Sequence, residues 1–539
     1  MGTDFRWSRV IALLTSLGML AAACGGGSDS ASSDSGSDGG GDTAAEGEAE
    51  DAGSDAGSID TDEAEDAVAE AASSEAGSDA AGSTATNIEE LEAEWAATRQ
   101  TQIDMLTAGM ESGEYGIGDD NILRGPGGFE IDLNNCPSDW VDTEGIAETI
   151  KVGHPGPQSG NLAAYGNMGI GWETYFDYVN ETGGIGGLPL ELIRKDDQYV
   201  ATVTIELVDE LLQSEKPFAF HTLGSPSTLA VYDTLNQQCV PQMLVATGHP
   251  AWGDPVVHPW TTGSQLGYLT ESILWGAWIK ENMADQLPVK VAGLVMDNDF
   301  GLAYEQGMER YAEENPDVIS EFISVRFDPA APTVTNEMTT IAAAQPDVAL
   351  GMMAGNPCLL MVEEAGRNGL KDSGAVLFIS STCKDPNSFM IPAGEAADGW
   401  RIVGGGQKVN TDPQYADDAY VQFANGLLTD AELDINIGLY FTGFFYAWPF
   451  VESFRVANEL PGGLTRTNVM LAIRSLDVNH PQLIEGVTFA MNGNEDSYFV
   501  EGSDFSVYDA EAETWIQEGG IVDLNGSSPN CTWTDTGCA

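Results

Sequence analysis

Basic residues are scarce in this chain: 20 Lys and Arg stand against 85 Asp and Glu over 539 residues, a formal net charge of −65. A surface this negative repels phosphates, which argues against nucleic acid and anionic lipid as partners held by charge. Enzyme signatures are missing as well, since the chain contains no G-x-x-x-x-G-K-[ST], no H-E-x-x-H and no G-x-S-x-G. Gly183, Gly184, Gly186 and Gly187 do not form G-x-G-x-x-G and precede a strand, so they read as a turn. No C-x-x-C pair exists and the five histidines are scattered, so neither a metal nor a cofactor is expected. Long apolar runs are lacking too: Val10–Met19 and the aromatic segment Tyr440–Val451 are each too short to cross a bilayer. An enzyme is therefore not expected.

What is present begins with a leader. Arg6 and Arg9 precede the apolar run, and Leu20-Ala21-Ala22-Ala23-Cys24 ends in small residues, the pattern of a secretory signal peptide over residues 1–23. With Gly25-Gly26-Gly27 after it, this stretch resembles a bacterial lipobox, which implies cleavage before Cys24 and lipid on its sulfur. Ala21 stands where such motifs usually carry leucine, and an ordinary signal peptide cleaved at the alanines is the alternative. Residues 25–86 hold seventeen acidic side chains, no Lys or Arg, and otherwise almost only Gly, Ser, Ala and Thr. So little apolar surface cannot offset chain entropy, and residues 24–86 read as a disordered acidic tether spanning roughly 40 Å root-mean-square. Residues 87–539 still carry 67 acidic against 18 basic groups, so the acidity belongs to the folded part too.

Besides Cys24, six cysteines remain: Cys136, Cys239, Cys358, Cys383, Cys531 and Cys538. An exported chain favours three disulfides, and six cysteines allow 15 connectivities among which sequence alone does not choose. The assignment expected is Cys358–Cys383, which flank one helix-strand unit, Cys531–Cys538 as a short terminal loop, and Cys136–Cys239 by elimination.

Residues 87–148 form an N-terminal extension. Ile88, Leu91, Trp95, Ile103, Leu106 and Met110 recur at helical spacing, and Gly128–Leu133 reads as a short strand. From Thr149 strand and helix signals alternate, with strands predicted at 150–153, 190–195, 218–221 and 243–246, then at 289–296, 322–326, 348–352 and 376–379. Helices are predicted between them at 162–182, 202–214 and 228–237, then at 301–314, 334–344 and 357–369. Such alternation builds doubly wound parallel sheets covered by helices, and two sets of this length suit two lobes.

The stretch Lys151–Asp254, with HPGPQSGNLAAYG, LGSPSTLAVYD and VATGHPAWGDP, resembles the branched-chain amino-acid family of type I periplasmic binding proteins, the extracytoplasmic receptors of ABC importers. The resemblance implies a two-lobed α/β fold with a hinge and an interlobe cleft. One lobe would be 149–263 with 404–487, the other 264–403 with 488–528, followed by a cysteine-containing tail at 529–539. It implies an exported, lipid-anchored and monomeric receptor that closes on a small polar ligand and docks on a membrane permease. Amino acid, amide, urea-like compound and small carboxylate are the ligands considered. A sensory receptor of the same fold and a non-transport surface lipoprotein are the alternatives.

Ligands of open α/β sheets bind beyond the carboxyl ends of the strands. Ser225 falls where the family places a ligand-carboxylate serine, and it opens a helix whose free N–H groups favour an anion. Thr247 and His249 lie in the loop that would contact the ligand next, while Gln158, Ser159 and Tyr165 would wall the side-chain pocket. Phe300 and Asn356 would face them from the second lobe. Thr382 stands where amino-acid binders carry the carboxylate that pairs with the ammonium group, with Asp385 as a substitute if the loop is shifted. Tyr440 belongs to an aromatic segment that reads equally as core or as ligand-facing.

Overall fold

The structure, a computed structural model, describes residues 57, 59–74, 83–534 and 537–538. The signal segment and Cys24 lie outside the described residues. The expectation of an unstructured acidic segment up to Thr86 does not hold for Thr61–Ser73, which forms helix α1. Asp60 caps it, accepting from the Asp62 amide at 2.9 Å, and Asp62 and Glu63 favour the positive end of the helix dipole. Ala64, Val68 and Ala71 share one face at i, i+4 and i+7 and are buried. The Glu65 carboxylate accepts from the Tyr311 hydroxyl at 2.6 Å and pairs with Lys280. Small apolar side chains at helical spacing find a ready-made surface to bury against, which bulk composition conceals.

Helix α2 (Ile88–Ser112) is capped by Asn87 and ended by Gly113 in the left-handed region. Its Leu91, Trp95 and Leu106 are buried, and Trp95 meets Trp448 edge-to-face at 5.3 Å. Three short strands, β1 (Gly116–Ile117), β2 (Ile122–Arg124) and β3 (Glu130–Asp132), pair antiparallel behind it.

The first parallel sheet holds β4 (Ile150–Gly156), β5 (Leu190–Asp196), β6 (Ala219–Phe220), β7 (Gln242–Val245) and β8 (Thr261–Gly263) in the order β5-β4-β6-β7-β8. Helices α3 (Gly166–Glu181), α4 (Ala201–Ser214) and α5 (Ser225–Gln237) connect them. In α3 the stripe Met168, Trp172, Tyr175 and Val179 is buried, as its spacing predicts.

Helix α6 (Tyr268–Asn282) leads into the second sheet, whose parallel strands are β9 (Val289–Met296), β10 (Ile319–Phe327), β11 (Val348–Met352), β12 (Val376–Ile379) and β13 (Arg401–Val403). Helices α7 (Asp299–Glu314), α8 (Thr335–Ala344) and α9 (Asn356–Asn368) alternate with them. The chain then forms α10 (Ala419–Asp430), α11 (Gly438–Glu459) and α12 (Arg466–Ile473). Helix α11 packs on α3, since Gly171 and Gly443 let the two backbones approach where a Cβ would collide with the opposite chain. Strands β14 (Phe505–Asp509) and β15 (Thr514–Gln517) rejoin the second sheet antiparallel, beside β13. The last pair, β16 (Trp533–Thr534) and β17 (Gly537–Cys538), lies at the carboxyl end.

The disulfides join Cys136 to Cys239, Cys358 to Cys383 and Cys531 to Cys538, the pairs expected. The first ties the N-terminal extension to the first sheet. The second staples the first turn of α9 to the loop after β12. Among the described residues no helix is long and apolar enough to cross a membrane, and no group of three His, Cys, Asp or Glu could hold a metal ion.

Candidate functional site

A cavity of about 110 Å³ lies where the carboxyl ends of the two parallel sheets face one another. The first sheet contributes loops after β4, β5, β6 and β7, and the second contributes the start of α7 and the loops after β11 and β12. That placement follows from topology, because strand ends in open α/β sheets leave their loops free to form a crevice. Aromatic rings from Tyr165, Tyr199, Tyr268, Phe300, Phe441 and Tyr446 dominate its wall.

Tyr165 bridges the two halves. Its hydroxyl, carried on the turn after β4, donates to the Thr382 carbonyl at 2.9 Å and accepts from the Gly355 amide at 3.0 Å. Burial pushes the phenol's pKa up, so it acts as a neutral donor and acceptor. Gly355 has φ +72°, and a Cβ there would lie 2.7 Å from the Asn161 carbonyl of the facing half. Asn161 Nδ2 also reaches across, donating to the Pro329 and Ala331 carbonyls at 2.8 and 3.2 Å.

Below the floor, the fully buried Glu271 of α6 accepts from the Ser381 amide at 2.8 Å, the Ser381 hydroxyl at 2.7 Å and the Tyr304 hydroxyl at 2.8 Å. Desolvation outweighs these bonds and raises its pKa to about 7. Lys384 lines the cavity, but its ammonium is occupied by the Gly404 and Gln407 carbonyls at 3.0 and 2.6 Å and by Asp504 at 3.2 Å. Lys408 is likewise paired with Asp418 at 2.7 Å.

Of the ten residues expected at the site, three line the cavity, two lie directly behind it and five lie elsewhere. Tyr165, Phe300 and Thr382 line the cavity together. Ser225 and Thr247 lie directly behind its Gly224 and Ala246, both fully buried and bonded hydroxyl to hydroxyl at 2.8 Å. The Tyr199 ring covers Gly224, where a Cβ would lie 2.1 Å from it. Gln158 and Ser159 are exposed and donate to the Asp196 carboxylate at 2.8 and 2.7 Å. His249 is buried, accepts from the Ala251 amide and packs on Trp252 and Trp533. Asn356 is exposed on the first turn of α9, and Tyr440 is buried beside the cavity while Phe441 and Tyr446 of the same helix line it. Tyr199, Tyr268 and Asn410 are lining residues that sequence reasoning missed. A tyrosine after a strand end was the available signal for Tyr199; nothing local marks Asn410.

Two lobes built on parallel sheets, with a cavity walled by both at their strand ends, are the architecture of a binding protein. The family model of periplasmic binding proteins matches residues 149–492, and the chain belongs to that family. Its fold is the two-lobed type I periplasmic binding protein fold. A branched-chain amino-acid ABC transporter protein from Thermus thermophilus with bound valine is similar at TM-score 0.62 and 17% identity, over 70% of this chain and 97% of that one. A fatty acid ABC transporter substrate-binding protein from Thermomonospora curvata is similar at TM-score 0.59 and 18% identity, over 76% and 97%. A solute-binding protein from R. palustris in complex with 4-hydroxybenzoate has TM-score 0.57 and 18% identity, over 71% and 98%. No curated protein matches the chain at a significant level.

Proposed function

We propose that the protein is an exported solute-binding receptor of an ABC importer, anchored by lipid at Cys24 and delivering a small ligand to a membrane permease. The observation that carries this reading is the cavity shared by both lobes and bridged by Tyr165, with Thr382 and Gly355 on its far side. A ligand touching both walls stabilises the closed arrangement, which is the form a permease can distinguish from the empty one. The wall chemistry supports a ligand with an apolar or aromatic body, held by Tyr165, Tyr199, Tyr268 and Phe300, and one polar end. Valine, fatty acids and 4-hydroxybenzoate, named for three proteins of this fold, share that division into apolar body and polar end.

The test is to denature the purified protein, identify any released small molecule by mass spectrometry, and rebind it while following the melting temperature. A released compound that raises the melting temperature on rebinding supports capture. A protein that carries nothing, and whose melting temperature no amino acid, amide, fatty acid or hydroxybenzoate raises, is not such a receptor.

A further inference from the structure

The turn after β5 carries a tyrosine in a backbone conformation that tyrosines avoid. Gln198 and Tyr199 both stand in the left-handed region, at φ +57° and +60°, which a bulky residue keeps only where its surroundings hold it. The fully buried Asp197 does so: its Oδ1 accepts from the Tyr199 amide at 2.9 Å, and its Oδ2 lies 2.9 Å from the Thr204 hydroxyl. That hydroxyl is also 2.9 Å from the Ser227 hydroxyl in the first turn of α5, so the turn is fastened to the helix. Asp196 adds bonds from the Gln198 amide at 3.1 Å and the Gln158 amide at 2.8 Å.

Held this way, the Tyr199 ring lies on Gly224, the residue that precedes α5. A Cβ at Gly224 would sit 2.1 Å from its Cε2 and 3.1 Å from its Cζ. Burial pushes the phenol's pKa well up, so the ring stays neutral. The first N–H groups of a helix have no partner within it and favour an anion. In α5 that opening is filled from within the protein, since the ring covers Gly224, Ser225 and Thr247 bond each other at 2.8 Å, and Ser225 and Ser227 are fully buried. The two lysines of the cavity wall offer no substitute, because Lys384 is held by Asp504 and two carbonyls and Lys408 by Asp418. A carboxylate entering here gives up its water without gaining a counter-charge, a far larger cost than an uncharged head meets. We propose that Tyr199 is a built-in plug on the anion end of the cavity, and that the receptor therefore takes an uncharged head on an apolar or aromatic body in preference to the matching carboxylate. This rests on the receptor reading above and narrows its ligand.

Phenylacetamide and phenylacetate share one body and differ in the charge of the head, so calorimetric titration of both reads the plug directly. The natural protein is expected to bind the amide about tenfold or more tighter than the acid. Glycine adopts the left-handed region without strain, so Tyr199→Gly removes the ring and spares the turn. It is expected to raise the affinity for the acid relative to the amide by about tenfold or more, and adding Ser225→Ala should cancel that gain. Tyr199→Phe keeps the ring and should leave the preference unchanged. Circular dichroism melting without probe shows whether each variant is folded, and Tyr199→Asn, which also tolerates the left-handed region, replaces the glycine variant if that one is not. A natural protein that binds the acid as tightly as the amide overturns the proposal, and so does a Tyr199→Gly variant whose preference is unchanged. If the natural protein binds neither probe, a gain of acid binding in Tyr199→Gly still supports the plug and no gain overturns it. Mass spectrometry of the protein as purified separates this from the receptor reading. A released carboxylic acid whose rebinding Ser225→Ala weakens overturns the plug alone, whereas a protein that carries nothing and binds neither probe, with or without Tyr199, overturns both.

Discussion

The hydroxyl of Tyr165 donates to the Thr382 carbonyl at 2.9 Å, joining the turn after β4 to the loop after β12. With the Gly355 amide donating to the same oxygen at 3.0 Å, a single side-chain atom closes the cavity from one sheet to the other. Tyr165→Phe keeps the ring and removes both bonds, leaving the buried Gly355 N–H unsatisfied only in the closed arrangement. That costs closure about 1–3 kcal/mol, so the affinity for the ligand recovered from the purified protein is expected to fall about tenfold or more. Titration calorimetry gives the affinity and small-angle scattering the radius of gyration. An unchanged affinity together with an unchanged radius denies Tyr165 any part in closure.

Much of this arrangement is legible in the amino-acid sequence, because strand and helix periods alternate cleanly and strand-end loops must gather at one edge. The predicted strand 289–296 and its observed bounds coincide, as do those of 348–352 and 376–379. The site is less legible, since side-chain direction depends on packing between elements. Ser225 heads its helix as expected, yet its hydroxyl turns to Thr247 behind Gly224. Asn410 has no local signature, because what marks it is an oxygen left without a partner by three-dimensional contacts. Helix α1 is hidden for a different reason: its buried face is mostly alanine and valine, and the surrounding acids mask the period.

Glu271 gives the fold a pH dependence whose sign is fixed by burial. Its carboxyl holds a proton up to about pH 7 in the folded state, whereas in the unfolded chain it releases it near its ordinary value of 4.5. Between those values the folded state binds the extra proton, so stability is full below pH 4.5 and falls as pH rises toward 7. The shift corresponds to about 3 kcal/mol. Urea unfolding at pH 5 and pH 7.5 is expected to show a larger drop for the natural protein than for Glu271→Gln. The difference between the two proteins is the readout, because Glu501 and Asp496 are also raised by burial, to about 7 and about 6. Equal drops mean that Glu271 is ionised in the fold throughout.

The disulfides are expected to differ in what they contribute. Cys136–Cys239 closes 103 residues and Cys531–Cys538 closes 7. Under the chain-entropy argument the first stabilises by about 4.7 kcal/mol and the second by about 2.4 kcal/mol. Replacing each pair by serine and measuring urea midpoints is expected to give the larger loss for Cys136→Ser/Cys239→Ser. The reverse order means that entropy of the unfolded chain does not set the ranking.

Helix α1 offers the last test, on a segment whose composition argues for disorder. Val68 is buried in the contact it makes with the body of the protein, while Glu65 beside it meets Lys280 and Tyr311. Val68→Asp places a charge in that contact with no partner, at a cost of several kcal/mol, more than a helix of 13 residues holds in reserve on its own. The helix is therefore expected to undock while the two sheets stay folded. Hydrogen exchange checks this directly: amides of 62–73 should lose protection in the variant and those of β9 and β11 should keep it. Protection of α1 that survives Val68→Asp means the helix is held by Glu65 and its partners, and Glu65→Ala should then release it.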